Sequence, residues 1–281
     1  MVEEPAAASS TDSTERVSAL LSSPMALWLL ASTMRHWREY DELPRGPVGM
    51  AGTDLEAALT DPGRLMWLTF QHVGNWPYHY SRMRAADLLE CRPFFMDAAR
   101  ALATAPAAQW WWEPLRRNDQ TWFGHPVAGR PPIPHAVDLA SKPDDPALPV
   151  EGMFTSTRLG ALPGAYLAGW DGPPDTLSIW QVPVLDSARV YEIHGPADWR
   201  RLVERYRDDQ APDWYLVSDD WDGVHLSMAG WLTVPECAMW LHEATLWLNP
   251  AFGEVARLPD WPYTDLWTNY DWPTPPWPAE R

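Results

Sequence analysis

The abundance of tryptophan and proline constrains this chain more than any other feature of its sequence. The 281 residues include 20 tryptophans and 30 prolines. Proline removes a backbone donor and fixes φ, so frequent prolines favour short regular segments joined by loops. A buried tryptophan removes roughly 150–250 Å² from water, which lets these side chains anchor the core of a loop-rich fold. We therefore expect most tryptophans to be structural, with a few, such as Trp76 or those at 110–112, as candidates for lining a pocket.

The charge balance excludes one class of partner. The chain has 21 basic and 38 acidic residues, a net charge of −17 with histidine neutral. A field of this sign repels phosphate backbones, so we expect no nucleic-acid partner. The same acidity suits docking on a basic protein partner. A composition of 46% hydrophobic and 21% charged residues is that of a globular chain with a sizeable core.

Cysteine usage and the one long uncharged stretch bear on localisation. Cys91 and Cys237 cannot form a disulfide scaffold, which indicates a reduced, cytoplasmic protein. Residues 17–34 carry no charge and approach the length of a membrane span, but serines and Pro24 dilute the stretch. Ser22-Ser23-Pro24 is typical of a helix start. We therefore predict a buried helix here and no membrane partner.

The order of patterns along the chain predicts an α+β fold. Residues 1–14 are expected to be a disordered tail, 15–107 a helical region, and 108–281 a Trp-rich α+β domain. That domain should contain a mixed, mostly antiparallel sheet with one or two helices. Candidate helices lie at 54–59, 64–72, 78–90, 93–104 and 237–248, and candidate strands at 110–112, 153–158, 166–170, 176–184, 189–193 and 224–233. Residues 124–150 predict a proline-rich loop, and 258–281 a Trp/Pro-rich tail.

The clearest local signal is a helix that starts at Gly195-Pro196, because proline is favoured at the first helical position. The apolar side chains that follow share one helical stripe: Trp199, Leu202, Val203 and Tyr206.

Strong catalytic and metal-binding motifs are missing from the sequence. It contains no G-x-x-x-x-G-K-[ST], no G-x-G-x-x-G and no G-x-S-x-G. His242-Glu243 begins like a zinc-protease helix, but Leu246 stands where the second histidine would be needed. His72 and His79 have no carboxylate at ligand spacing. We therefore expect no metal cofactor.

One ordered set of residues resembles a known enzyme family. Arg116-Arg117 follow the tryptophan triplet, Thr155-Ser156-Thr157 lie on a predicted strand, and Glu192 is centred in a later strand-like run. An arginine, then a hydroxyl triplet on a strand, then a glutamate on another strand resembles the R–S–E pattern of ADP-ribosyltransferases.

The resemblance implies an NAD-using enzyme. In that family the arginine binds the phosphates of the dinucleotide, the triplet supports the pocket, and the glutamate stabilises a ribosyl oxocarbenium ion. These residue types suit those tasks, since guanidinium pairs with phosphate and a carboxylate stabilises a cation. Carried over to this chain, the resemblance makes Glu192 and Ser156 the catalytic candidates, and Arg116, Arg117, Thr155 and Thr157 the candidates for binding NAD.

Other functions stay open at this stage, including a role that is not enzymatic. An acidic immunity-type or regulatory protein that binds a basic partner is the main alternative. A third possibility is an enzyme of specialised metabolism with His72 or His225 as base. The last possibility is a glycan-binding site at Asp219-Asp220-Trp221-Asp222, where the indole would stack on a sugar.

Two longer strings, VYEIHGPADWRRLVERY and WDGVHLSMAGWL, resemble segments of uncharacterised Trp-rich actinobacterial proteins. That resemblance brings no activity with it. It indicates that the half of the chain from about residue 150 defines the family.

Overall fold

The fold is known from a computed structural model that describes residues 10–33, 55–73, 85–124, 153–157, 160, 178–208, 211–240 and 242–258. Helices predominate before residue 113, and a mixed sheet with further helices follows. This is the α+β fold that the sequence predicts, with the helical region first. The predicted strand at 166–170 and most of the predicted loop (124–150) and tail (258–281) lie outside the described residues.

The first part contains six α-helices among the described residues: α1 Ser10–Ser22, α2 Pro24–Thr33, α3 Leu55–Ala58, α4 Pro62–Val73, α5 Ala85–Cys91 and α6 Met96–Thr104. Ser23 separates the first two, and its hydroxyl accepts a hydrogen bond from the Ala26 N–H at 3.3 Å. Helix α1 already begins at Ser10, so residues 10–14 are helical rather than part of the predicted disordered tail. No described helix has the length and apolar character needed to cross a membrane.

The tryptophan triplet does not form the strand that its aromatic character predicts. It ends a 3₁₀ helix, Pro106–Trp112, whose first position is proline and whose Trp110 and Trp111 are buried in the core. A proline at the start favours a helical turn, and burial of the indoles outweighs their β propensity. A second 3₁₀ helix, Arg92–Phe95, precedes α6.

Nine strands are present among the described residues: β1 Gln120–Gly124, β2 Met153–Thr157, β3 Ser178–Gln181, β4 Val190–Ile193, β5 Arg207–Asp208, β6 Ala211–Pro212, β7 Gly223–Leu226, β8 Ala244–Trp247 and β9 Ala256–Arg257. Seven form one sheet in the order β4-β7-β8-β2-β1-β3-β9, while β5 and β6 form a separate ribbon. Strands β4 and β7 are parallel, and the other pairs of the sheet are antiparallel.

Among the described residues, three α-helices accompany these strands, where the sequence pattern predicts one or two: α7 Pro196–Arg205, α8 Trp214–Asp220 and α9 Met228–Thr233. The predicted strand at 224–233 is wrong in its second half. Ser227 ends β7 and caps α9 by accepting the Gly230 N–H at 3.1 Å. The predicted helix at 237–248 is likewise wrong in part, because a 3₁₀ helix, Pro235–Trp240, is followed by strand β8.

The two faces of the sheet differ in character. Val224, Leu226 and Leu246 project from one face into a large apolar core that also contains side chains of α1, α2, α4 and α6. The other face carries a smaller apolar cluster, which includes Met153, Val182 and Trp247. Since side chains alternate along a strand, the residues between the core positions project onto this second face. Several of them are polar.

Candidate active site

A row of polar side chains crosses four neighbouring strands on the second face. Glu192 of β4 pairs with His225 of β7, and His225 pairs with Thr245 of β8. Thr245 in turn pairs with Thr155 of β2. The alternation of each strand places Val224 and Leu246 in the core and leaves these four polar side chains together.

His225 lies between two carboxylates. Its Nδ1 is 2.5 Å from Glu192 Oε2, and its Nε2 is 3.2 Å from Glu243 Oε1. Its side chain is 3% exposed. Burial favours the neutral imidazole, but hydrogen bonds to Glu192 and Glu243 and their negative charges outweigh it and raise the pKa of His225 to about 9. His225 is therefore an imidazolium at neutral pH.

Glu192 is the accessible end of this group. Its side chain is 27% exposed, and its second oxygen, Oε1, accepts the Leu115 N–H at 3.0 Å. Burial raises the pKa of Glu192, but the bond to His225, the imidazolium charge and the Leu115 N–H together lower it below its ordinary value. Glu192 is thus an ionised carboxylate held in one orientation from two sides.

Glu243 is the buried carboxylate of this group, and the last residue of β2 holds it in place. Its Oε2 accepts the backbone N–H of Thr157 at 3.0 Å and the hydroxyl of Thr157 at 3.1 Å. The Thr157 hydroxyl also accepts the Gly160 N–H at 3.1 Å. A Cβ on Gly160 would lie 1.9 Å from Glu243 Oε2, so any larger residue at this position would displace the Glu243 carboxylate.

Further along the row the polar groups satisfy one another. Gln120 Oε1 accepts the hydroxyls of Thr155 at 2.6 Å and of Thr245 at 3.2 Å. The Trp247 indole N–H donates to the Thr155 hydroxyl at 2.8 Å. This buried network lies on the far side of His225 from Glu192 and supports the site there.

The structure brings together only some of the residues that the sequence predicts for the site. Glu192 lies in it, Thr157 joins it through Glu243, and Thr155 belongs to the network behind it. Ser156 projects from the opposite face of β2, where its hydroxyl lies 3.5 Å from His242 Nδ1.

The two arginines are also separated. Arg117 donates to the carbonyl oxygens of Leu185 and Ala188 at 2.6 and 2.9 Å, so its guanidinium fixes a turn. Arg116 pairs at 2.8 Å with Glu113. Arg116 directly follows Leu115, whose N–H binds Glu192.

Sequence reasoning missed the most important partners of Glu192. The sequence indicates His225 only as a base, and Glu243 only as part of a zinc motif that is incomplete. No motif indicates His194, although it is two residues after Glu192 and a strand alternates with that period. Its Nε2 lies 3.8 Å from Glu192 Oε2.

The acidic cluster at 219–222 is largely used within the fold. Asp220 accepts hydrogen bonds from Arg205 and the Tyr206 hydroxyl, both at 2.7 Å. Asp222 accepts the Arg189 N–H at 2.8 Å. These contacts leave Asp219 as the exposed carboxylate of the cluster.

No group of three or more potential ligands for a metal ion occurs within the described part of the chain. Comparison of the chain with protein-family models, with curated proteins and with solved structures gives no match.

Proposed function

We propose that this protein is an enzyme that cleaves the glycosidic bond of NAD and transfers its ADP-ribosyl group, with Glu192 as the catalytic carboxylate. The observation that carries the proposal is the state of Glu192. It is ionised, partly exposed, and oriented by His225 and the Leu115 N–H. A fixed anion of this kind stabilises the positive charge that develops on the ribosyl ring as its bond to nicotinamide breaks.

The cost of the charged cluster supports a functional role. Two buried or half-buried carboxylates around one imidazolium carry a net charge of −1, and desolvation of such groups costs several kcal/mol per ion. An apolar sheet face would avoid that cost, as the opposite face does. Clusters that perturb each other's pKa are concentrated at functional sites.

Arg116 is the better placed of the two phosphate-binding candidates. Its side chain is 39% exposed, and that of its partner Glu113 is 45% exposed. Surface ion pairs of this kind contribute only about 0–1 kcal/mol, so a phosphate group can replace Glu113 at little expense. Arg116 directly follows Leu115, whose backbone N–H binds the carboxylate that would face the ribose.

Nicotinamide release from NAD tests the proposal. The wild-type protein is expected to release nicotinamide, and E192Q to lose activity by roughly 100-fold or more, the usual effect of removing a group that stabilises transition-state charge. E204Q is the matched control, because Glu204 is exposed on α7. R116A should raise the KM for NAD. Absence of release by the wild type, or equal rates for wild type and E192Q, would contradict the proposal.

A second candidate function is binding of a basic protein. Tyr215 and Leu216 are adjacent on α8 and about half exposed, at 50% and 49%. Asp213 and Asp219 flank them, so an apolar contact is bordered by negative charge. Such a patch suits a partner with basic residues around an apolar centre.

Immobilised wild-type protein and a Y215A/L216A variant distinguish this candidate. A basic protein partner should bind the wild type at low ionic strength, dissociate as salt is raised, and bind the variant at least tenfold more weakly, as expected for loss of two central apolar contacts. Equal retention by both proteins would exclude α8 as the docking site.

A further inference from the structure

His194 lies beside Glu192 but is held in a different way from His225. It follows β4 two residues after Glu192, and its ring lies edge-on to that of His225 with centroids 6.5 Å apart. Its backbone N–H donates to Asp198 Oδ2 at 2.8 Å, so the start of α7 fixes the position of its main chain. The imidazole takes no part in that contact.

The ring of His194 has unused hydrogen-bonding capacity. Its Nδ1 is buried and has no partner among the described residues, and its Nε2 is beyond hydrogen-bond distance of Glu192. A buried polar atom without a partner costs about 1–3 kcal/mol. The side chain as a whole is 32% exposed, ten times the exposed fraction of His225, so the ring is within reach of a substrate.

The two histidines differ in protonation state. Burial lowers the pKa of His194 and the positive charge of His225 lowers it further, while Glu192 and Asp198 raise it. The balance places the pKa below 6.5, so His194 is neutral at pH 7. His225 is already protonated, and both its ring nitrogens are bonded to carboxylates. Of the two, only His194 can accept a proton.

We propose that His194 is the general base of the site and that the ADP-ribosyl acceptor is a hydroxyl group, of water or of an alcohol. This assignment rests on the proposed function. The C1′–N bond of NAD breaks and its electron pair neutralises the pyridinium nitrogen of nicotinamide. The hydroxyl oxygen attacks C1′, and its proton passes to Nε2 of His194, since Nδ1 is buried, and then to solvent. The products are nicotinamide, the ribosylated acceptor and one proton.

A neutral hydroxyl acceptor must lose a proton as it attacks, so it needs a base. A thiolate acceptor has already lost its proton and needs none. A separate base allows Glu192 to remain an anion opposite the ribosyl cation throughout the attack. His194 adds the base at an adjacent position on the same side of β4.

The test measures nicotinamide release and methyl ADP-ribose formation in aqueous methanol from about pH 5 to 8, for wild type, E192Q, H194Q and E204Q. Wild-type rates should fall in acid with an apparent pKa below 6.5. H194Q should be slower by about 100-fold and lack that acid limb, as expected for loss of general base catalysis. E204Q, exposed on helix α7, should behave as wild type. Added imidazole should raise the rate of H194A at least tenfold.

The outcomes separate the two proposals. If E192Q is inactive while H194Q keeps the wild-type rate and acid limb, the assignment of His194 is wrong and the proposed function stands. Failure of imidazole to restore the activity of H194A would also contradict the assignment of His194 as the base. If the wild type releases no nicotinamide, both proposals fall together.

Discussion

At the scale of single residues, the properties of the site depend on the imidazolium of His225. Both its ring nitrogens are bonded to carboxylates, and its pKa of about 9 lies well above the ordinary 6.5. It keeps Glu192 ionised, and its charge helps to keep His194 neutral. One buried charge thus sets the protonation state of both accessible groups.

The raised pKa of His225 predicts how stability depends on pH. Between pH 6.5 and about 9 the folded protein retains a proton that the unfolded chain has lost. The stabilisation is therefore complete below pH 6.5 and is lost as pH rises to 9, a change of about 3 kcal/mol. Urea unfolding of wild type and H225Q over this range should show that slope only in the wild type. If the unfolding free energy of H225Q has the same slope against pH as that of the wild type, His225 is not the source of the pH dependence.

Gly160 provides a second prediction at this scale. G160A places a methyl group against Glu243 Oε2, so Glu243 must withdraw from His225. A displacement of about 1 Å in a catalytic arrangement costs on the order of 100-fold in rate, and we expect that loss in nicotinamide release. Wild-type activity in G160A would show that Glu243 does not position His225.

Some residues of the site could be predicted from the sequence and others could not. Glu192 could be selected from sequence because it is centred in a strand-like run, and β4 forms there. His225 is 33 residues away, and Glu243 a further 18. Their contact depends on the parallel pairing of β4 with β7, which no local pattern reports. Ser156 was misassigned because the face on which a strand side chain lies depends on what covers each face of the sheet.

At the scale of elements, close packing of α9 against the end of β4 holds the site in place. A Cβ on Gly230 would lie 2.3 Å from the carbonyl oxygen of Ile193, which is backbone and cannot rotate away. Ser227 reinforces this junction, since its backbone N–H and its hydroxyl both donate to the same carbonyl oxygen, at 3.0 and 3.2 Å. The residues on either side of Ile193 are Glu192 and His194.

G230A should therefore separate α9 from β4. We expect a loss of about 1–3 kcal/mol in the free energy of unfolding, the usual cost of overpacking, together with reduced activity. G253A is the control, because a Cβ there would make its nearest contact at an ordinary 3.5 Å. Chemical denaturation of the two variants measures the difference. Equal stability of G230A and wild type would contradict the packing argument.

The helices were easier to predict than the boundaries between helix and strand. Helix α7 forms where Pro196 and its apolar stripe indicate. In contrast, residues 224–233 read as one strand but divide at Ser227, where a cap of α9 replaces the sheet. A buried helix and a buried strand are equally apolar, so periodicity does not separate them.

At the scale of the whole molecule, the helical region and the sheet share one core. Leu27 and Leu30 of α2 belong to the same buried cluster as Leu226 and Leu246 of the sheet. The Ser23 hydroxyl donates to the Leu232 carbonyl oxygen at 2.5 Å, joining α2 to α9. The helices thus support the element that packs on β4.

This shared core predicts a single cooperative unfolding transition. L27A removes a fully buried side chain and should cost about 2–5 kcal/mol. Far-ultraviolet circular dichroism and tryptophan fluorescence should then report the same lowered melting temperature. Two separate transitions, with only one shifted by L27A, would show that the helical region folds as an independent domain.

Glu192 is proposed to serve catalysis rather than folding, and the E192Q variant distinguishes these two roles. His225 keeps Glu243 as its partner in this variant, so the cluster changes from a net charge of −1 to neutral and no charge is left unpaired. Nicotinamide release and the melting temperature should be measured on one preparation of each protein. We predict that release is abolished while the melting temperature stays within a few degrees of wild type. Release that persists would contradict a catalytic role for Glu192, and a large fall in melting temperature would show that it is a structural residue.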